Sequence, residues 1–214
     1  MKHKAVGLFG GTFDPIHNGH IEIAERLLSD LALDKIYFIP CKQPVLKQAA
    51  SATPEQRVAM LKLAIDDNKQ LIIDQRELTR TTPSYTIDTL NSFRQEMPDT
   101  PLYFILGMDA FLSLPQWHQW QALLAYCHFI VINRPCDISN SPPQLAQLIK
   151  QHQVETAEEL HNQSAGKLLF LNYPPIDLSS TAIRNKVTSE KIINQKIPKA
   201  VAEYIKKYQL YTKM

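Results

Sequence analysis

The sequence has little net charge, and its few cysteines form no recognisable pattern. Lys and Arg number 23 and Asp and Glu number 21 among 214 residues, so the formal charge is +2. This excess is too small to indicate a nucleic-acid-binding surface, and no basic run is present. The three cysteines, Cys41, Cys127 and Cys136, are odd in number and form no Cys-x-x-Cys pair. They argue against a disulfide framework and indicate a reducing compartment.

A long hydrophobic run is also missing. The chain starts Met-Lys-His-Lys, and the apolar run after these residues is interrupted by Gly10 and Gly11. That run is too short for the core of a signal peptide or for a membrane span. We therefore expect a cytoplasmic protein without a membrane partner. No internal repeat, low-complexity tract or long linker divides the chain, which predicts a single domain over residues 1–214.

Short apolar runs alternate with amphipathic helical patterns along the chain. The runs with strand character are Ala5–Phe9, Ile36–Ile39, Leu71–Ile73, Leu102–Leu106, Phe129–Ile132 and Leu168–Leu171. The segment Thr53-Pro-Glu-Gln56 is typical of a helix start with a capping box. The alternation predicts an α/β fold, namely a Rossmann-like, doubly wound parallel sheet of five to six strands with helices on both faces. Ligands of such folds bind beyond the carboxyl ends of the strands, where the strand order reverses.

The first strand leads directly into a turn that contains glycine and histidine. Gly10 and Gly11 lack a Cβ and let the backbone approach a ligand closely. Asn18 is placed as the N-cap of the following helix, and the N–H groups of a helix start attract phosphate. His17 and His20 are three residues apart and so face one side. Together these residues predict a polyphosphate site, whereas a zinc site would need a third ligand and lacks the His-Glu-x-x-His pattern.

A second polar group lies far downstream. Ser179, Ser180 and Thr181 precede a short helix, and their hydroxyls can either cap that helix or bind phosphate together with backbone N–H groups. Arg184 follows about one turn later, with a fork of donors that suits phosphate oxygens. Taken alone, the pattern is that of a capped helix with a surface arginine. Paired with the first group, it predicts the second side of a triphosphate site.

Two motifs give the chain a resemblance to a known family. Phe9-Gly-Gly-Thr-Phe-Asp-Pro-Ile-His-Asn-Gly-His20 resembles the nucleotidyltransferase superfamily that carries a His-x-Gly-His motif. Leu178-Ser-Ser-Thr-Ala-Ile-Arg184 is similar to the Ile-Ser-Ser-Thr-x-Ile-Arg motif of the same superfamily. The segments Thr82–Leu90 and Ile105–Asp109 and the region of Trp117 more closely resemble the bacterial nicotinate-nucleotide adenylyltransferase family. The resemblance covers nearly the whole chain and places the second ATP motif and closing helices in about residues 178–214.

The resemblance implies a reaction of NAD biosynthesis, in which ATP and nicotinate mononucleotide give nicotinate adenine dinucleotide and pyrophosphate. The attacking phosphate is already an anion at neutral pH, so the enzyme has to position it and stabilise charge rather than remove a proton. The implied catalytic residues are His17, His20 and Arg184, which contact the phosphates. Mg²⁺ is expected to bind mainly through the ATP phosphates, without a protein metal site. The other residues implied for the ATP site are Gly10, Gly11, Thr12, Phe13, Ser179, Ser180, Thr181 and Ile183.

The resemblance places the acceptor site in the middle of the chain. The residues implied there are Lys47, Tyr85, Thr86, Asp109 and Trp117. Arg134, just after the fifth predicted strand, is a further candidate for contact with phosphate, with a surface position as the alternative. Trp117 is a candidate for stacking on the pyridine ring and Asp109 for binding ribose hydroxyls. The alternatives are that Trp117 serves packing and that Asp109 lies in the first turn of a helix. Two positions depart from the family pattern on this acceptor side: Leu46 replaces a histidine, and His118 replaces a frequent tyrosine.

Other functions stay open at this point. The acceptor could be nicotinamide mononucleotide or phosphopantetheine, although enzymes for the latter are typically shorter. A dinucleotide-dependent oxidoreductase would need Gly-x-Gly-x-x-Gly, whereas the glycines here are Gly7, Gly10 and Gly11. A non-catalytic nucleotide- or RNA-binding protein disagrees with the near-neutral charge, so no nucleic-acid partner is expected. The oligomeric state is also open, and a homo-oligomer is one outcome.

Overall fold

The structure, a computed structural model, describes residues 5–43, 49–66, 68–132, 142–174, 178–185 and 196–212. Within these residues the strands form one sheet in the order β3-β2-β1-β4-β5-β7-β6, and every neighbouring pair is parallel. The order reverses between β1 and β4, which is where ligands bind in such sheets. The strands are β1 (Val6–Gly11), β2 (Lys35–Pro40), β3 (Leu71–Ile73), β4 (Leu102–Gly107), β5 (His128–Ile132), β6 (Gln153–Val154) and β7 (Leu168–Leu171).

Helices cover both faces of the sheet. They are α1 (Asn18–Asp30), α2 (Pro54–Ile65), α3 (Arg76–Thr79), α4 (Thr86–Glu96), α5 (Met108–Leu112), α6 (Pro143–His152), α7 (Ser180–Asn185) and α8 (Lys199–Lys207). In the part of the chain that the structure describes, short 3₁₀ helices span Leu114–Gln116, Trp120–Ala125 and Glu158–Asn162. Among the helices of the described ranges, none has both the length and the apolar character that crossing a membrane requires.

Two buried clusters, one on each side of the sheet, explain why the strands are apolar throughout. Successive side chains of a strand point to opposite faces. In β4, Ile105 packs into the cluster formed with α1, α2 and α8, and the adjacent Phe104 packs into the cluster formed with α4 and α5. A strand that is buried on both faces therefore needs apolar residues at nearly every position. The predicted doubly wound α/β fold is confirmed.

The strand count differs from the prediction of five to six, because the described residues contain seven strands. The additional strand is β6, which has two residues and pairs with β7 at the edge of the sheet. A two-residue strand is too short to show a hydrophobic period, so the sequence pattern could not indicate it.

The helix starts were predicted with mixed success. At α2 the capping box is present: the N–H of Gln56 donates to the hydroxyl of Thr53 at 3.3 Å, and the N–H of Thr53 donates to the amide oxygen of Gln56 at 2.8 Å. At α1 the prediction of Asn18 as N-cap was wrong. The N-cap is His17, whose backbone is extended (φ −143°, ψ 167°) and whose carbonyl accepts the N–H of His20 at 2.9 Å. Asn18 is already helical.

Candidate active site

A cavity of about 610 Å³ opens at the carboxyl ends of β1 and β4. Its size lies within the range typical of small-molecule sites. β1 and the turn after it form one side, α7 and the segment before it form another, and Gly107 and Asp109 after β4 lie at its edge. The cavity therefore lies at the point where the strand order reverses.

The cavity brings together most of the residues that the sequence predicted for the ATP site. The residues of this prediction that line it are Gly10, Gly11, Thr12, Phe13, His17, His20, Ser179, Ser180, Thr181 and Arg184. Ile183 does not line the cavity. It is 3% exposed and packs into the core under α7, because it lies on the inner face of that helix. The side chain of Ile183 therefore packs in the core, and its contact with ATP stays a prediction.

The two glycines after β1 differ in what requires them. At Gly11 a Cβ atom would lie 2.9 Å from the Cζ atom of Phe13, so the packing of this buried ring excludes a side chain. Phe13 has a left-handed backbone (φ 49°), which turns the chain sharply at this point. At Gly10 a Cβ atom would meet only the ring of Phe104, at 3.6 Å, an ordinary contact. Protein packing therefore accounts for Gly11 but does not require Gly10.

His17 and His20 are stacked on each other. Their ring centroids are 3.6 Å apart with an interplanar angle of 23°. The main-chain N–H of His17 donates to Nδ1 of His20 at 3.3 Å, and the ring of Phe13 packs edge-on against His20 with centroids 5.2 Å apart. Because Nδ1 of His20 accepts a hydrogen bond, the neutral ring has its proton on Nε2. The side chain of His20 is thus oriented by the turn itself.

Arg184 joins the two motifs across 170 positions of sequence. Its Nη1–H donates to the main-chain carbonyl of Asp14 at 2.7 Å, and its Nη2–H donates to the hydroxyl of Thr181 at 3.2 Å. The hydroxyl of Ser180 makes a second link by donating to the carbonyl of Pro15 at 2.9 Å. The hydroxyl of Ser179 accepts the N–H of Ala182 at 3.1 Å and so caps α7. These hydrogen bonds hold the guanidinium of Arg184 in place, although 27% of the Arg184 side chain stays exposed.

Asp14 is a residue of the site that the sequence analysis missed. Its side chain is nearly buried and accepts N–H groups from Ser51 at 2.7 Å and Ala52 at 3.1 Å and the hydroxyl of Tyr211 at 2.7 Å. Burial and the hydrogen bond to this carboxylate raise the pKa of Tyr211 above its ordinary value. Asp14 lies inside the first motif, and that position was a signal for a role in the site. Tyr211 carries no such signal in the sequence.

Of the described acceptor residues, Asp109 lines the cavity, whereas Tyr85, Thr86 and Trp117 are not among its lining residues. Tyr85 is the N-cap of α4, Thr86 is the first residue of that helix, and the ring of Tyr85 lies 4.4 Å from that of His118. Trp117 donates its Nε1–H to the hydroxyl of Ser113 at 3.2 Å, and its ring packs edge-on against Phe104 with centroids 6.2 Å apart. The ring of Phe104 also borders Gly10, so the pair of Phe104 and Trp117 adjoins a residue that lines the cavity. The predicted positions Lys47 and Arg134, and also Leu46, lie outside the described residues.

The polar groups of the cavity suit phosphate better than a directly bound metal ion. In the described ranges of the chain, no group of three or more His, Cys, Asp or Glu side chains could hold a metal. Two carboxylates line the cavity. That of Asp14 is engaged by three hydrogen bonds, and that of Asp109 is exposed in the first turn of α5. Imidazole, guanidinium and hydroxyl donors are instead the groups that bind phosphate oxygens.

The chain is similar to known proteins in both sequence and fold. Residues 8–186 match the family model described as cytidylyltransferase-like. A relative from Legionella pneumophila (strain Lens), named probable nicotinate-nucleotide adenylyltransferase, is 42% identical over 208 residues, which cover 97% of this chain and 99% of the relative. A relative of the same name from Aeromonas salmonicida (strain A449) is 43% identical over 211 residues, 99% of each chain. The structure of Plasmodium falciparum nicotinic acid mononucleotide adenylyltransferase complexed with NaAD has a TM-score of 0.73 at 22% identity and 98% coverage of both chains, which shows the same fold.

Proposed function

The chain belongs to the cytidylyltransferase-like family, and on that premise we propose that it transfers the adenylyl group of ATP to nicotinate mononucleotide. The products are nicotinate adenine dinucleotide and pyrophosphate, in NAD biosynthesis. Relatives at 42% and 43% identity over nearly the whole chain have the name of this activity. The observation that carries the proposal is the convergence of His17, His20 and Arg184, from two distant motifs, on one cavity at the switch point of the sheet.

The reaction exchanges one phosphoanhydride bond for another. An oxygen of the mononucleotide phosphate attacks the α-phosphorus of ATP, and the bond between that phosphorus and the α,β-bridging oxygen breaks. The bridging oxygen leaves with its electron pair as part of pyrophosphate. Because the nucleophile is already an anion at neutral pH, no side chain has to remove a proton from it. The task of the enzyme is to align the two phosphates and to stabilise the charge that develops on them.

Three side chains have the donors for that task. The Nε2–H of His20 is fixed in direction because Nδ1 accepts the N–H of His17, and we assign this donor to the α- and β-phosphates. We assign Arg184 to the β- and γ-phosphates, since Thr181 and Asp14 hold its guanidinium at the cavity. His17 stacks on His20 and lines the same wall. Preorganised donors of this kind need no rearrangement when charge develops in the transition state.

We propose that Mg²⁺ enters the site with ATP and is bound mainly by phosphate oxygens. The donor set around the cavity fits this arrangement, because its side chains can bind the phosphates while the exposed carboxylate of Asp109 stands at the edge. When bound, the ion would neutralise part of the triphosphate charge. Removal of divalent ions with EDTA should abolish turnover, and added MgCl₂ should restore it. Full turnover in EDTA would contradict the proposal.

For the acceptor, we propose the aromatic rings of Tyr85, Trp117 and His118 as the binding surface of the pyridine ring. The rings of Tyr85 and His118 contact each other, and Thr86 is the first residue of α4 after Tyr85. A flat aromatic surface is suited to stacking a planar ring. We further propose a cytoplasmic location, since the described cysteines Cys41 and Cys127 are free thiols and the sequence has no disulfide pattern.

The proposal is tested by measuring pyrophosphate release from ATP with three acceptors in turn. These are nicotinate mononucleotide, nicotinamide mononucleotide and phosphopantetheine. We expect nicotinate mononucleotide to give the highest kcat/KM. Faster release with either other acceptor would reassign the substrate, and no release with any of them would contradict the enzyme assignment.

A further inference from the structure

Arg57 is completely buried, and its guanidinium is bound by main-chain carbonyls. Nη1–H donates to the carbonyl of Thr12 at 2.7 Å, and Nη2–H donates to the carbonyl of Lys42 at 3.1 Å. Among the described residues no carboxylate forms an ion pair with it, and its Nε has no hydrogen-bond partner. A buried charge that lacks a counter-ion lowers stability. The contribution of Arg57 therefore lies in where it holds its two carbonyl partners.

The two partners belong to different parts of the proposed site. Thr12 lines the cavity in the turn after β1. Lys42 follows β2, and its N–H donates to the hydroxyl of Ser84 at 3.1 Å. Ser84 is followed at once by Tyr85, whose ring belongs to the proposed acceptor surface. A continuous hydrogen-bonded connection thus runs from Thr12 through Arg57 and Lys42 to Ser84.

The guanidinium of Arg94 is also bound by main-chain carbonyls, but at the amino ends of the strands. Its Nη1–H groups donate to the carbonyls of Met97, Pro98 and Thr100, and its Nη2–H groups donate to those of Tyr126 and Ser164. The segments that contain these carbonyls precede β4, β5 and β7, whereas Thr12 and Lys42 follow β1 and β2. Arg94 therefore ties loops at the amino ends of strands, and it does not line the cavity. It is a matched control for Arg57.

We propose that Arg57 is a positioning residue that connects the ATP side of the site to the acceptor side. This role rests on the proposed function, because it assigns Thr12 to one substrate and the segment after Ser84 to the other. The planar guanidinium is suited to it, since two of its N–H groups reach two carbonyls in a fixed geometry. A lysine ammonium keeps the charge but lacks that fork.

The test compares Arg57→Lys with Arg94→Lys and Ser84→Ala. Arg57→Lys is expected to raise KM for both ATP and nicotinate mononucleotide by about tenfold, the lower end of what a hydrogen bond to a charged group contributes. Its kcat should change less. Arg94→Lys should lower the melting temperature and leave both KM values unchanged. Ser84→Ala interrupts the connection beyond Lys42, so it should raise KM for the mononucleotide and not for ATP.

Two outcomes would overturn the positioning role. The first is that Arg57→Lys behaves as Arg94→Lys does, with a lower melting temperature and unchanged KM values. The second is an unchanged KM for the mononucleotide in Ser84→Ala, which overturns the positioning role even if Arg57→Lys fails to fold. Calorimetric titration of the same proteins with a non-hydrolysable ATP analogue distinguishes an error in the positioning role from an error in the proposed function. If the wild type turns over no acceptor, the proposed function is wrong. Weaker binding of the analogue to Arg57→Lys would then still support the contact of Arg57 with Thr12.

Discussion

Replacement of His20 tests both the hydrogen bond that its ring accepts in the structure and the phosphate contact that we propose for it. Nδ1 accepts the N–H of His17 at 3.3 Å, and Nε2 carries the proton that we assign to the phosphates. His20→Ala removes both. We expect kcat for pyrophosphate release to fall by about 10²–10³-fold, the usual effect of losing one transition-state donor. Loss of the hydrogen bond at Nδ1 should lower the free energy of unfolding by about 0.5–1.5 kcal/mol. For a chain of this length, that is a decrease of about 1–6 °C in melting temperature.

Two further variants separate the roles. In His20→Asn the amide oxygen lies near the position of Nδ1 and can accept the N–H of His17, but no donor reaches the position of Nε2. This variant should regain the melting temperature while kcat stays low. In His20→Gln the longer side chain brings an amide N–H near the position of Nε2 of His20, so part of kcat should return. The assay is pyrophosphate release at saturating ATP and nicotinate mononucleotide, with thermal unfolding measured on the same samples.

The outcomes that refute this reasoning are specific. A kcat of His20→Ala near that of the wild type would show that the ring does not contribute to phosphate transfer. A kcat that returns in His20→Asn together with the melting temperature would show that the ring acts only through the shape of the turn.

Three further predictions concern stability. Tyr211→Phe removes a hydroxyl that donates to a buried carboxylate and should lower the free energy of unfolding by about 1.5–3 kcal/mol, whereas Tyr208→Phe, at a half-exposed ring, should change little in the same denaturant titration. Gly11→Ala forces a buried phenylalanine ring to move and should lower the free energy of unfolding by about 1–3 kcal/mol. Gly10→Ala should lower it less, because the new Cβ makes only an ordinary contact. Equal losses in the two variants would contradict this prediction. Burial lowers the pKa of His128 from 6.5 to about 4, so between these pH values the unfolded chain binds a proton that the folded chain does not, and stability falls as the pH is lowered through this window. The melting temperature of the wild type should therefore fall more than that of His128→Asn between pH 7 and about pH 4.5, and parallel curves would argue against a neutral buried His128.

The parts of the fold that could be predicted are those set by neighbouring residues. The apolar runs gave the six longer strands because a strand buried on both faces requires such a run. The start of α2 was predictable because Thr53 and Gln56 interact with each other across three positions. The cap of α1 was missed because the turn keeps His17 extended, and a histidine is not among the residues preferred at that position.

The parts that could not be predicted depend on contacts between distant residues. Asp14 and Tyr211 are 197 positions apart, and Arg57 reaches a carbonyl 45 positions away. No local period or motif records which carbonyl a buried arginine will meet. The burial of the Ile183 side chain could not be predicted for a related reason, because a motif gives the residues of a helix without saying which of its faces is buried.

The position of Asp14 also has a consequence for when the site can form in a chain that is being synthesised. Asp14 is synthesised between β1 and α1, whereas its partners Arg184 and Tyr211 follow 170 and 197 positions later. Closing so long a loop costs entropy, and the contacts that offset this cost cannot exist before both ends are present. The turn with its two histidines is therefore synthesised early, but the hydrogen bond from Tyr211 that anchors Asp14 forms only later. In a nascent chain, the hydrogen bond between Tyr211 and Asp14 can form only after residue 211 has left the ribosome.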